Sequence, residues 1–294
     1  MKDSFFNLHP LVSLTFFAAV IAFSMFIMQP VCLGITLVCA LLNALHLSGG
    51  KTAGLTLKFL LPMTVMITVV NPLFNHRGAT VLCYFPWGNP LTLESVLYGF
   101  ASALLISAVA LWFSCVNSVM TSDKLIFLFG SVAPSLSLVL SMAMRFLPRF
   151  TARFKQVRQA QACLSAGSQS LVGRFRAGVR VMGIMVSWSF ENAIDTSDSM
   201  KSRGYGLKGR TAFAIYRFHR RDAVVWSVIL SECVALAALL WSGQLRFRYF
   251  PSVRGNLTEV WQLVFYVIYA VLLLTPLLIN AGEGIKWNRL QSKT

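Results

Sequence analysis

Residues 198–211 read DSMKSRGYGLKGRT. They join Asp195 and Asp198, at or just before their start, to Lys201, Arg203, Lys208, Arg210 and three glycines. Charges and glycines at this density suggest phosphate binding first, since Gly204-Tyr-Gly206-Leu-Lys-Gly209 satisfies GxGxxG. A dinucleotide fingerprint needs a strand before the glycines and a helix after them. Here a helical pattern precedes and basic residues follow, so that chemistry is set aside. The chain has no GxxxxGK[ST] for ATP, no GxSxG nucleophile turn and no recognisable acid–His pair. Cys32, Cys39, Cys83, Cys115, Cys163 and Cys233 form no CxxC, and His9, His46, His76 and His219 form no HExxH or HxxxH. The cysteines read as small apolar residues, and a metal site has no pattern behind it.

The elements that position this charged segment belong to an oily chain. Its 294 residues have a mean hydropathy of +0.66 and carry only 12% charged residues, against about 25% in soluble domains. That composition predicts an all-α integral membrane protein. The net charge of +16 then reflects basic residues gathered on the cytoplasmic side rather than a nucleic-acid partner. Apolar runs predict about six spans, near 11–28, 31–47, 55–74, 95–115, 223–242 and 259–281. The first is too long for a signal-peptide core and is read as retained. The chain accordingly divides into an N-terminal membrane domain (1–115), a cytoplasmic region (116–221) and a C-terminal membrane hairpin (222–294).

Region 116–221 holds more than half of the basic residues, which makes it cytoplasmic and sets the orientation. Both termini and Lys51 then face inward, and the loop 75–94, with CYFPWGNP, faces outward. The loop 243–258 also falls outside although it holds Arg246, Arg248 and Arg254, the one conflict with the charge rule. The run 125–148, broken by Pro134, reads as interfacial or bundle-packed rather than a seventh span. Gly99, Ala103 and Ser107 recur every four residues and mark a helix–helix contact. Glu232, near mid-span, reads as a buried structural acid or a proton relay.

Two long helices are expected in the cytoplasmic region. The first runs from about Ser135 to Cys163, with a basic stripe, Arg145, Arg149 and Arg153, beside apolar Phe146, Phe150, Phe154 and Val157. Pro148 should bend or break it. The second runs from about Leu171 to Ser202, with an acidic stripe, Glu191, Asp195 and Asp198, and an apolar side supplied by Ile184, Trp188 and Ile194. The stripes either face each other across a helix crossing or stay separately solvated. Each helix closes on small residues and glycine, QAQACLSAG and SDSMKSRGYG, as helix C-termini do.

The run MAMRFLPRFTARFKQVRQAQ, followed by DTSDSMKSRGYG and GRT, resembles the transmembrane T component of energy-coupling factor transporters. Members carry two cytoplasmic coupling helices, each ending in a short Ala-Arg-Gly-like signature. The second signature corresponds to Ser202-Arg203-Gly204, followed by Tyr205. The first falls at Cys163-Leu164-Ser165, where Leu164 stands in place of the arginine. The resemblance implies a non-catalytic subunit in a bacterial cell membrane. It docks on two ABC-type ATPase subunits and holds a separate membrane S component that binds the substrate. It needs no cofactor of its own, because ATP and Mg belong to the ATPases. Arginine at a helix tip suits that role, since it bonds a carboxylate bidentately and Gly204 lets the backbone turn away beside it. Vitamin or micronutrient uptake is the expected cargo class. A cobalt or nickel module is the near alternative, and a membrane enzyme is the alternative from another class.

Overall fold

The structure, a computed structural model, describes residues 5–47, 49–84, 90–164, 171–207, 216–243, 247–255 and 259–291. Its helices are α1 (Pro10–Phe26), α2 (Pro30–Leu47), α3 (Gly49–Phe74), α4 (Leu93–Val119), α5 (Ser122–Val132), α6 (Pro134–Leu164), α7 (Leu171–Ser202), α8 (Arg220–Trp241) and α9 (Val260–Gln291). Between α3 and α4 lie β1 (Val81–Tyr84) and β2 (Pro90–Thr92). The fold is that of an all-α membrane protein. Helices α2, α4 and α8 and residues Val260–Lys286 of α9 are long and apolar enough to cross a membrane, and α1 and Lys58–Phe74 are shorter apolar helical stretches.

The chain divides into two compact units, Met1–Leu125 with Tyr216–Thr294, and Ile126–Ile215. In the first, α4 is central and packs on α1, α2 and α3. The small-residue row explains the closeness: Ala103 and Ser107 are buried, and a methyl at Gly99 would stand 3.1 Å from the Thr68 carbonyl and the Asn71 side chain on α3. Trp112 of α4 fills the space beside Phe16 and Phe17 of α1, edge-on at centroid distances of 6.1 and 6.5 Å.

Helix α9 is bound to α1 and α2 by buried polar side chains. The Tyr269 hydroxyl meets Thr36 Oγ1 at 2.8 Å and Ser24 Oγ at 3.3 Å. Gln29 Nε2 donates to the Tyr266 hydroxyl at 2.6 Å, and Asn43 Nδ2 donates to the Leu273 carbonyl at 3.1 Å. Lipid tails are as apolar as leucine, so packing and hydrogen bonds, rather than the hydrophobic effect, hold membrane helices together.

Three connections gather at one end of this unit. Tyr249, between α8 and α9, donates to the carbonyl of Met28, between α1 and α2, at 2.8 Å. Burial, with a smaller push from Tyr98, raises Tyr249 to about 12, so it remains a phenol and a donor. The Ala79 amide, between α3 and β1, donates to the Pro251 carbonyl at 3.0 Å. At the other end, the Phe5 amide bonds Asn280 Oδ1 at 3.1 Å, buried Lys124 donates to the Phe6 carbonyl at 2.6 Å, and Arg221 pairs with Glu283.

Two features depart from the sequence reading. The loop 75–94 contains an antiparallel hairpin, with Val81 opposite Thr92 and a bulge before Cys83. Helix α6 runs unbroken through Pro148. Proline removes one i to i−4 hydrogen bond, but Met144 and Pro148 are both exposed, so solvent can take the donor's place. The break expected at Pro134 is present: α5 ends at Val132, and Pro134 opens α6 as its first residue, a position where its missing N–H has no cost.

Candidate functional site

The second unit contains an antiparallel pair of helices. Phe146 of α6 stacks on Trp188 of α7 at 5.6 Å, with Phe150 also against that indole at 6.5 Å. Further along, Val157 meets Val181 and Met185 in a buried cluster. The seam on α7 is therefore Val181, Met185 and Trp188, spaced four and three apart as one helical face requires. Of the residues expected on that side, Trp188 belongs to it, whereas Ile184 and Ile194 are 41% and 62% exposed. Ile194 lies off the 181–185–188 face, and Ile184, three residues after Val181 and four before Trp188, flanks its edge.

This register settles the geometry of the charged stripes. Residue 146 lies opposite 188, and 157 opposite 181. Asp195 and Asp198 consequently lie beyond the Arg149 and Arg153 stretch, and only Glu191 falls near the level of Arg145. Arg145, Arg149, Arg153, Glu191, Asp195 and Asp198 are all exposed. Among the described residues no ion pair joins the two stripes; Asp198 instead meets Lys201, on its own helix, at 3.8 Å.

The end of α7 is built with unusual completeness. The Tyr205 amide returns to the Met200 carbonyl at 3.0 Å, and the Gly204 amide to the Lys201 carbonyl at 2.9 Å. These are the two bonds of a Schellman stop, which satisfies carbonyls otherwise left open at a helix end. Gly204 adopts φ +76°, the left-handed conformation that side chains resist. Ser202 Oγ donates to the Ser199 carbonyl at 2.9 Å and tightens the last turn. Arg203 is thus the cap residue between the last helical residue and the reversal. It is exposed, as are Ser202, Tyr205 and Leu207. The result is a fixed backbone knuckle that presents a guanidinium and a tyrosine ring to the surroundings.

Helix α6 ends at Leu164, with Cys163 exposed, and Ser165 lies outside the described residues. Glu232 is half-buried in α8, and its Oε2 has no hydrogen-bond partner among the described residues. No three His, Cys, Asp or Glu side chains among the described residues are grouped to hold a metal.

A feature missed in the sequence is a second apolar ridge on α7. Val172, Phe175, Val179, Met182 and Val186 are 53–75% exposed. They recur at alternating steps of three and four, the signature of a helix-packing face. The three-and-four spacing of these apolar residues is legible in the sequence itself.

The comparisons with known proteins agree with this architecture. The CbiQ family model, described as cobalt transport protein, matches residues 1–213 and so includes both helix tips. The energy-coupling factor transporter transmembrane protein EcfT of Lacticaseibacillus paracasei is 30% identical over 201 residues, which cover 63% of this chain and 75% of that protein. EcfT of Brevibacillus brevis is 29% identical over 209 residues, covering 66% of this chain and 76% of that protein. With most of its length matched, the chain belongs to the CbiQ family, as a transmembrane T component of the energy-coupling factor transporters.

Proposed function

We propose that this chain is the coupling subunit of its transporter. It rests by the tips of α6 and α7 on two cytoplasmic ABC-type ATPases and passes their ATP-driven motion to a substrate-binding S component. The observation that carries this reading is Arg203, exposed on a knuckle fixed by Gly204. A guanidinium held on a rigid backbone loses little freedom when it meets a carboxylate in a groove. The tip of α6 lacks an arginine and offers Leu164 in its place, so the two contacts are unequal, one through charge and one through apolar packing. The exposed ridge Val172–Val186 on α7 is the surface we assign to the S component. Lys124, Arg217, Arg220, Arg221, Lys286 and Arg289 cluster in sequence around the membrane-unit end that bears the Phe6–Lys124 and Arg221–Glu283 contacts. We place that end, with both termini, in the cytoplasm.

Vitamin-type uptake is our reading of the cargo class, because the relatives are energy-coupling factor proteins. The family description as cobalt transport protein supports a metal module as the second reading. The S component that co-purifies from the native membrane separates the two.

The test of coupling is co-purification of ATPase subunits, alongside ATP-driven uptake in proteoliposomes. Removing one partner of a buried charged pair costs about 2–5 kcal/mol, so Arg203→Ala should lose docking and uptake, and Arg203→Glu should abolish both. Leu164→Ala should be milder. Near-normal docking by Arg203→Glu overturns the proposal. Greater damage from Leu164→Ala than from Arg203→Ala reverses the ranking of the tips.

A further inference from the structure

The segment between α8 and α9 conflicts with the charge rule, and its structure gives the conflict a purpose. Arg248 and Arg254 exchange both backbone hydrogen bonds, at 2.9 and 3.0 Å. Residues paired in this way stand directly opposite, with Cα atoms about 5.5 Å apart and side chains on the same face. Both arginines are exposed, and among the described residues no carboxylate pairs with either. Like charges placed directly opposite destabilise a ladder, so the pair needs a reason to persist.

The pair is also held rigidly. Tyr249, between the arginines in sequence, turns to the opposite face and is buried, with its hydroxyl on the Met28 carbonyl at 2.8 Å. Its ring lies edge-on to Tyr98 at 5.6 Å and to Phe247 at 4.9 Å. Phe250 packs on Tyr98 at 5.2 Å, and Pro251 accepts from the Ala79 amide. Phe247 covers Gly255 so closely that any Cβ there would collide with the ring. Trp241, which closes α8, is 93% exposed, and Trp261, in the first turn of α9, is 58% exposed. Exposed tryptophans at the ends of spans mark the membrane–water interface. The arginine pair lies between these two tryptophans in the chain, on the segment that joins the ends of α8 and α9.

We propose that Arg248 and Arg254 form a binding site for the headgroup phosphate of an anionic phospholipid. Two adjacent guanidiniums match the oxygens of one phosphodiester, and neutralising them relieves their mutual repulsion. The site depends on the hairpin and the interface, not on which side of the membrane faces outward. In the orientation proposed above it takes a lipid of the outer leaflet.

The probe is the full chain in nanodiscs of dioleoyl-phosphatidylglycerol mixed with dioleoyl-phosphatidylcholine, with retained lipid read by native mass spectrometry. Each basic residue near a membrane surface contributes enough that losing two should lower phosphatidylglycerol retention roughly ten- to thirty-fold. We expect that fall for R248Q/R254Q, an intermediate fall for R248K/R254K, and little change for R77Q. Tyr249→Phe, which keeps every charge but loses the Met28 bond, should also weaken retention. Equal retention by R248Q/R254Q overturns the site. Full retention by R248K/R254K reduces it to bulk charge and overturns the paired geometry. Displacement of the lipid by millimolar inorganic phosphate shows a site for free anions rather than headgroups. Unchanged lipid retention with loss of a co-purifying S component assigns the pair to a protein contact and likewise overturns the proposal. A cysteine at Val253, probed from either side of sealed vesicles, reports orientation separately, so an inverted topology is not mistaken for a failed site.

Discussion

The membrane unit and the unit Ile126–Ile215 are held together by different means. In the first, hydroxyls and amides reach across helices: Tyr269 to Thr36 and Ser24, Gln29 to Tyr266, Asn43 to the Leu273 backbone. In the second, helices of 31 and 32 residues are joined by Val157, Val181 and Met185 with a few aromatic neighbours, and their charges point away. The contrast follows from the solvent. Where lipid surrounds the helices, burying leucine gains little and an unpaired amide is costly, so polar side chains act as the adhesive. With the second unit placed in water, as proposed above, each buried aliphatic side chain there contributes roughly 1.5–3 kcal/mol, and exposed charges are available to partners.

The largest effect that would sharpen this contrast is expected at the aromatic seam. Trp188→Ala removes the stack on Phe146 and should destabilise the α6–α7 pair by about 3 kcal/mol. Hydrogen exchange should show faster exchange along α7 and unchanged protection in α1, α2 and α9. Loss of protection in all of them would mean that the two units are not independently held. Next comes Gly204→Ala. Forcing a side chain into the left-handed conformation at φ +76° costs about 1–2 kcal/mol. The Tyr205 amide, bonded to Met200, should lose its protection while the middle of α7 keeps its own. A smaller change is expected in the membrane unit from Tyr269→Phe. It removes the hydroxyl shared by Thr36 and Ser24, and such bonds average about 0.6 kcal/mol in membranes. Thermal denaturation in detergent should show a modest decrease; a collapse would show that the network works as a unit. The smallest effect is at the stripes. Arg145→Ala and Glu191→Ala should be additive within about 0.3–0.5 kcal/mol, because both are exposed and unjoined. Strong coupling would place α6 and α7 in another register.

Much of the second unit was legible before its structure. The expected helices, 135–163 and 171–202, lie within a residue of α6 and α7, because period, glycine stops and charge all changed at the same places. Gly204 was legible as a stop for the same reason. The inner face of α7 was not, since Ile184 and Ile194 are as apolar as Val181 and Met185 and only the partner helix chooses among them. Pro148 misled because proline's rule concerns a lost donor, and an exposed turn tolerates that loss. The β1–β2 hairpin was obscured by its short strands, and the arginine pair by a ladder contact that spacing alone does not disclose.

The bonds from α9 back to α1 and α2 also set an order of assembly. Ribosomes deliver Gln29, Thr36 and Asn43 to the bilayer long before Tyr266, Tyr269 and Leu273 exist, at separations of 237, 233 and 230 residues. Thr36 and Asn43 can wait, because each also bonds its own helix, at the carbonyls of Cys32 and Cys39. Gln29 Oε1 also has a local donor, Cys32 Sγ at 3.8 Å, but its Nε2 has its partner on Tyr266, so that donor end waits. Nascent chains released before α9 therefore present an incompletely satisfied α1–α2 pair to the lipid. Such late closure makes the last helix the step that commits the membrane unit to its folded state.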